Sequence, residues 1–153
     1  MERLKLLSDV SLVLSSSKSL EGQINSVLEC IGNHTGVSRV YIFEDSSDRT
    51  TTTNTFEWCN DNIEPQIANL VSIPYSMLPS WKLKLDLKNH FNYSDTSQAP
   101  EDVRAVLEPQ GISSILVDSL INQDKIWGFI GYDECQYKRE WSLEEKELLK
   151  IRD

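Results

Sequence analysis

Two long apolar runs near the C-terminus constrain the fold most. They cover residues 112–121 and 126–132 and are separated by Asn-Gln-Asp-Lys at 122–125. Two such runs joined by a short polar turn predict an antiparallel hairpin, and their nearly continuous hydrophobicity places it in the middle of a sheet. Gly128 and Gly131 in the second run indicate a bulge or a close approach of another backbone. A sheet built around this hairpin therefore organises the chain.

The period of the apolar pattern changes at Gly36. From Leu20 to Ile31 the spacings of three and four predict a helix, which Ser17 or Ser19 would cap and which stops at the glycines 32 and 36. After Gly36 the period is two, which predicts a strand with Arg39, Tyr41 and Phe43 on one side. A polar turn at 45–48 and a second strand over about 51–59 follow.

Helices are predicted at both ends of the chain. The stripe Leu4, Leu7 and Leu14 is typical of a short amphipathic helix. Near the C-terminus, Ser142 and Glu145 form a capping box that begins a final helix. Because the pattern shows no stop for that helix, we expect the chain to be a module of a longer polypeptide.

The segment from residue 60 to 100 is the least regular. It holds four of the five prolines and several aromatic residues among polar ones. Irregular segments of this length are functional loops or disorder, and the aromatic residues favour a functional loop. A helix is expected over 78–87, and Pro100 at position N1 begins a short helix that ends near Pro109 and Gly111. This segment should cover one face of the sheet and enclose an apolar pocket.

Composition limits the partners. The chain has 153 residues, of which 39% are hydrophobic, enough for one domain with a single core. The 15 Lys and Arg against 24 Asp and Glu give a net charge of −9, which disfavours nucleic acid and anionic membrane surfaces as partners. Three widely spaced cysteines, Cys30, Cys59 and Cys135, predict a reducing, cytoplasmic setting, and no segment is apolar for long enough to span a membrane.

Three segments, taken in order and spacing, resemble a GAF domain. Gly36–Phe43 (GVSRVYIF) is similar to the family's first strand, and Glu108–Val117 (EPQGISSILV) to its glycine-led central strand. Ile126–Tyr132 (IWGFIGY), followed by Arg139–Glu145, is similar to the last strand and the approach to the final helix. The resemblance covers nearly the whole chain and departs at 118–119, where the family often has a hydrophobic residue and proline.

The resemblance implies an α/β (α+β) fold with a central antiparallel sheet of about five or six strands. The N- and C-terminal helices would lie on one face of that sheet, and the irregular segment with its short helices would cover the other. Residues 1–153 would form a single GAF-like domain of a longer multidomain signalling protein.

Six residues are predicted to form the ligand pocket: Phe43, Trp58, Tyr75, Trp81, Phe91 and Asp95. Aromatic side chains supply apolar area for a ligand, but the same side chains could equally seal the sheet beneath its cover. Asp95 could accept a hydrogen bond from a ligand, although an Asx turn with its own backbone is favoured. The acidic charge of the chain favours a neutral, cationic or apolar ligand over an anionic one, and no cofactor is specified.

Other chemistry is disfavoured. None of the cysteines has an adjacent histidine for covalent bilin attachment, and His34 and His90 show no paired metal-ligand spacing. Residues 129–134 (FIGYDE) match part of the family's cyclic-nucleotide motif by letters, but they fall on a predicted strand and no Asn-Lys pair precedes them. We interpret that match as coincidence.

The function implied by the resemblance is a non-catalytic sensory module. It would bind an unknown small molecule, dimerise through its terminal helices, or do both, and so control a linked output domain such as a histidine kinase or a cyclase. One alternative is an enzyme of the free-methionine sulfoxide reductase type, for which Cys59 could face the pocket. The other alternative is a structural GAF domain without a ligand.

Overall fold

The computed structural model describes residues 19–150, which form one six-stranded antiparallel sheet with helices on both faces. The strand order is β3-β2-β1-β6-β5-β4. The strands are β1 (Arg39–Asp45), β2 (Thr51–Cys59), β3 (Ile73–Pro74), β4 (Phe91–Tyr93), β5 (Ser114–Asn122) and β6 (Lys125–Glu134). The predicted fold class, an antiparallel sheet of five or six strands between helical layers, is confirmed.

Four α-helices and three short 3-10 helices complete the described part. The α-helices are α1 (Leu20–Thr35), α2 (Pro79–Asp86), α3 (Glu101–Leu107) and α4 (Leu143–Leu148), and the 3-10 helices are Tyr75–Met77, Thr96–Gln98 and Glu108–Gln110. None of the helices within residues 19–150 is both long and apolar enough to cross a membrane. The predicted helix around Leu4, Leu7 and Leu14 lies outside the described residues.

The predicted hairpin is confirmed as β5–β6 in the centre of the sheet. Gln123 and Asp124 at its tip both have positive φ, 51° and 66°, which is the geometry of a tight hairpin turn. Gly128 is required by a close approach, because a Cβ there would lie 2.0 Å from the carbonyl oxygen of Phe43 on β1. The central strands can therefore pair closely only with glycine at this position.

Helix α1 begins and ends close to the predicted positions. The Ser19 side chain accepts a hydrogen bond from the Gly22 amide, and Gly36 ends the helix with φ 72°. Gly32 does not end the helix as expected. It lies within α1 against Trp58, whose ring atoms would be 2.2 Å from an added Cβ, so its role is to let the helix approach the sheet.

The sheet separates two hydrophobic clusters. On one face α1 and the region of α4 pack on the strands through residues that include Leu28, Ile31, Ile130, Tyr132 and Leu149. The other face is covered by α2, α3 and the 3-10 helices, as the irregular segment predicted. The capping box of α4 is confirmed, with both of its hydrogen bonds formed, whereas Pro100 occupies the N-cap of α3 rather than N1.

Candidate functional site

A cavity lies between the sheet and its cover. It measures about 50 Å³ and is lined by β1, β2 and β6 below and by α2, α3 and the 60–78 segment above. The lining residues are Tyr41, Phe43, Thr52, Asn54, Glu57, Gln66, Leu70, Ile73, Leu78, Trp81, Val103, Val106, Leu107, Gln110, Ile112, Phe129 and Asp133. This volume is enough for a few water molecules. It is far smaller than the roughly 300–1,000 Å³ of sites that bind drug-sized ligands.

The polar end of the cavity is built around a buried ion pair. Arg39 on β1 is paired in register with Asp133 on β6, and its Nη1 donates to the Asp133 Oδ2 over 3.1 Å. Both side chains are 5% exposed or less. Burial raises the pKa of Asp133 to about 6, against the opposing effect of Arg39. The desolvation of Asp133 thus outweighs its attraction to Arg39.

Tyr41 and Glu57 complete this polar end. Burial raises the pKa of Tyr41 well above its usual value, and the neighbouring carboxylate of Asp133 raises it further. Glu57 on β2 accepts hydrogen bonds from the backbone amides of Gln66 and Ile67 at 3.1–3.3 Å. Glu57 therefore attaches the covering segment to the sheet while lining the cavity.

The apolar wall is mainly aromatic. The rings of Phe43 and Phe129 stack with centroids 4.6 Å apart, and Tyr41 meets Phe43 edge-on at 5.5 Å. Trp81 on α2 contacts Phe129 from the cover at 5.6 Å. The Trp81 indole N–H is buried and finds no hydrogen-bond partner among the described residues, so it is a donor that a bound molecule could satisfy.

Four of the six predicted site residues belong to the hydrophobic cluster on the cavity side, and two of them line the cavity. Phe43 and Trp81 are the lining residues. Tyr75 lies beside them, with its hydroxyl donating to Asp45 at 2.5 Å, and Phe91 packs against Trp81 with centroids 5.2 Å apart. Tyr75 and Phe91 thus support the wall from behind.

Trp58 and Asp95 lie away from the cavity. Trp58 packs against the cluster on the α1 face of the sheet. Asp95 accepts hydrogen bonds from the Ser97 amide at 3.0 Å and the Ser97 hydroxyl at 2.7 Å, and it pairs with Lys138. The Asx-turn interpretation of Asp95 is confirmed, and its role in the structure is to cap a 3-10 helix.

Cys30, Cys59 and Cys135, all among the described residues, form no disulfide, and the last two lie near the polar end. Burial, together with neighbouring Glu57, raises the pKa of Cys59 to about 11. Burial also raises the pKa of Cys135, whose sulfur lies 3.7 Å from Arg39 Nη1. Protonated thiols are poor nucleophiles.

Within residues 19–150, no group of three or more His, Cys, Asp or Glu side chains is placed to hold a metal ion.

One curated protein is similar in sequence. The chain is 35% identical over 132 residues to the methanogenesis regulatory histidine kinase FilI of Methanothrix harundinacea. The match covers 84% of this chain but the chain spans only 15% of the kinase. No protein-family model matches the chain.

Solved structures are similar over nearly the whole chain. The phycocyanobilin-bound GAF domain of a cyanobacterial phytochrome has a TM-score of 0.80 at 18% identity and covers 98% of this chain and 88% of its own. A far-red absorbing, biliverdin-bound protein in its dark state has a TM-score of 0.77 at 16% identity, with 97% and 91% covered. The blue-light absorbing PixJ GAF domain of Thermosynechococcus elongatus has a TM-score of 0.69 at 15% identity, with 95% and 83% covered.

The layers of sheet and cover place this chain among the α/β domains with a single antiparallel sheet. Within that class its fold is that of the GAF domains, as the sequence predicted.

Sequence reasoning missed the polar end of the cavity. The sequence pattern puts Arg39 and Tyr41 on one side of a strand with Phe43. A charged residue on an otherwise aromatic strand face is the signal that could have indicated a buried partner. Asp133 falls in the 129–134 segment, whose match to the cyclic-nucleotide motif we interpret as coincidence. Its pairing with Arg39 depends on strand register.

Proposed function

We propose that this chain is a non-catalytic sensory module of a longer signalling protein, in which a small molecule bound in the cavity controls a linked output domain such as a histidine kinase. The observation that carries the proposal is the burial of Asp133 and Arg39 at the cavity. Burying ionised groups costs free energy that a purely structural core avoids with apolar residues. Perturbed ionisable groups in a cavity are typical of functional sites.

The similar proteins support the same proposal. The kinase FilI is described as regulatory, and the solved GAF domains include ones bound to biliverdin and phycocyanobilin. A tetrapyrrole is far larger than a cavity of about 50 Å³. For this chain we therefore propose a ligand of few non-hydrogen atoms. A cytoplasmic location belongs to the same proposal, since three widely spaced cysteines are typical of a reducing setting.

A short chain of contacts connects the cavity with α1 and α4. Asp133 faces the cavity, and the next residue, Glu134, faces the opposite side of the sheet, where its carboxylate accepts from Arg139 at 2.9 Å. Arg139 also donates to the Thr35 carbonyl at the end of α1 and to the Glu145 carboxylate in the capping box of α4. A ligand that shifts the end of β6 would therefore change how α1 and α4 are held.

Filling the cavity should abolish ligand binding. Val106 on α3 lines the cavity from the cover, and a Val106→Phe side chain would occupy the space. The test is a thermal-shift screen of amino acids, cyclic nucleotides, amines and tetrapyrroles. We expect at least one small compound to raise the melting temperature of the 153-residue chain by about 2–5 °C. The same compound should not change the melting temperature of Val106→Phe.

Ala105→Phe is the matched control for that screen. Ala105 is the preceding residue on the same helix, is exposed, and does not line the cavity. This control should respond to the compound as the unmodified chain does. Equal shifts in all three proteins, or none in any, would contradict binding in the cavity.

Dimerisation through the terminal helices is a second part of the proposal. The apolar stripe at Leu4, Leu7 and Leu14 is the predicted seam. We expect the chain to sediment as a dimer in analytical ultracentrifugation, and Leu7→Glu to shift it towards monomer because a charge would be buried at the seam. A monomer in both cases at high concentration would exclude the dimer.

The thiol chemistry does not favour the reductase alternative. The raised pKa values of Cys59 and Cys135 keep both thiols protonated at neutral pH, which weakens them as nucleophiles. Thioredoxin-coupled turnover of free methionine sulfoxide, lost in Cys59→Ser, is the result that would support that alternative.

A further inference from the structure

The charges that line the cavity are unbalanced. Glu57 and Asp133 contribute carboxylates, whereas the described lining residues include no lysine, arginine or histidine. Arg39 stands just behind the lining and is already used, because Nη1 donates to Asp133 while Nε and Nη2 donate to the carbonyl of Glu64. One guanidinium beside two carboxylates leaves a net negative charge.

A bound cation would offset that charge. An ionised carboxylate offers about four acceptor sites, and Asp133 and Glu57 each use only part of theirs on the protein contacts described above. An anionic ligand would instead meet two carboxylates beside a mainly apolar wall, where like charges repel more strongly than in bulk water. The electrostatics of the lining therefore discriminate by the sign of the ligand's charge.

The wall of the cavity is suited to the same class of ligand. Four aromatic rings line it, those of Tyr41, Phe43, Trp81 and Phe129. Aromatic faces attract ammonium groups by about 0.5–2 kcal/mol and also accept alkyl substituents. The cavity of about 50 Å³ limits the bound part to a few non-hydrogen atoms.

We infer that the cavity takes a small organic cation, namely an ammonium group with short alkyl substituents, held between the carboxylates of Glu57 and Asp133 and the aromatic wall. This inference rests on the proposed function. The alkyl part lies against Phe43 and Phe129, and the charged nitrogen lies towards the polar end.

Isothermal titration calorimetry of the 153-residue chain at pH 7.5 and constant ionic strength tests the inference with isosteric probes. Propylammonium is compared with propan-1-ol and propionate, and tetramethylammonium is compared with tert-butanol. Because an ammonium gains charge and cation–π interactions that its isostere lacks, we expect millimolar binding of at least one cation and binding about tenfold weaker or undetectable for its neutral partner. Propionate should not bind.

Three variants locate the binding. Glu57→Gln removes one carboxylate charge while keeping an acceptor for the covering segment, and it should weaken cation binding about tenfold. Glu101→Gln removes an exposed charge on α3 that does not line the cavity, and it should leave binding unchanged. Val106→Phe should abolish binding.

The results separate this inference from the proposed function. Cations that bind no tighter than their isosteres, or that bind equally to Glu57→Gln, would overturn the inference. If a neutral or anionic compound binds in a manner that Val106→Phe blocks, the inference fails while the sensory proposal stands. If Val106→Phe does not prevent the binding of any compound in the wider screen, both the inference and the sensory proposal fail.

Discussion

Arg39→Met is expected to lower the free energy of unfolding at pH 7 by about 3–5 kcal/mol. The substitution leaves the Asp133 carboxylate buried without its cation, and it removes the two hydrogen bonds that Arg39 donates to the Glu64 carbonyl. Urea unfolding followed by tryptophan fluorescence measures the loss. The same change should loosen the segment around Glu64, which Arg39 ties to the sheet.

The loss in Arg39→Met should also depend on pH in a defined direction. Burial already raises the pKa of Asp133 from its ordinary value of 3.8 to about 6, and without Arg39 the pKa rises further. A carboxyl with a raised folded-state pKa contributes stability below its unfolded pKa, and that contribution is lost as the pH rises through the folded pKa. The difference in the free energy of unfolding between the unmodified chain and Arg39→Met should therefore become smaller as the pH falls from 7 to 5.

Lys82→Met provides the control for Arg39→Met. Lys82 pairs with Asp86 at 3.7 Å, and both side chains are more than a third exposed, so its removal should cost well under about 1 kcal/mol at either pH. An Arg39→Met variant as stable as Lys82→Met at pH 7 would show that the buried pair does not hold the polar end together.

Arg139→Met is expected to release α4 from the sheet. Its guanidinium, only 12% exposed, joins the Glu134 carboxylate, the Thr35 carbonyl and the Glu145 carboxylate. Removing it leaves Glu134, which is 1% exposed, without its cation. We expect the free energy of unfolding to fall by about 2–4 kcal/mol. The substitution should also increase the amide hydrogen exchange rate more in residues 143–148 than in the central hairpin.

Lys138→Met is the matched control one residue earlier in the chain. Lys138 pairs with Asp95 but its side chain is 70% exposed, so it should change stability by less than about 1 kcal/mol and leave exchange in α4 unaltered. An Arg139→Met variant whose exchange rises equally in β5, β6 and α4 would contradict a local role for Arg139.

Local rules account for the parts of the fold that the sequence predicted. The cap at Ser19, the capping box of Ser142 and Glu145, and the β5–β6 turn each depend on residues within four positions of one another. The period-two pattern of β1 likewise predicts that Phe43 shares a face with Tyr41, and in the structure both line the cavity. These features could be predicted because the energy that fixes them is local.

The polar end of the cavity depends on contacts between distant residues. Arg39 and Asp133 are separated by 94 positions and meet only because β1 and β6 pair in one register. The position of Trp58 depends on register as well. Trp58 pairs with Val40, and both side chains belong to the cluster beneath α1. The register shift opposite Ile42 and Phe43 changes which side chains of β2 face the cavity, because Thr52 and Asn54 line it before the shift and Glu57 lines it after the shift. Composition alone could not assign Trp58 to a face.

The cover was the hardest part to predict. Val106 and Gln110 line the cavity from α3 and the following 3-10 helix, and neither was among the predicted site residues. Their position is set by how α3 packs on the sheet, which the helical pattern does not specify.

Native mass spectrometry of the chain isolated from the cells that naturally make it is the most direct test of the central claim, that the cavity holds a small molecule. We expect the unmodified chain and Ala105→Phe to carry a small molecule of the same mass, and Val106→Phe to lack it. A molecule retained equally by Val106→Phe, or none on any of the three proteins, would contradict the claim.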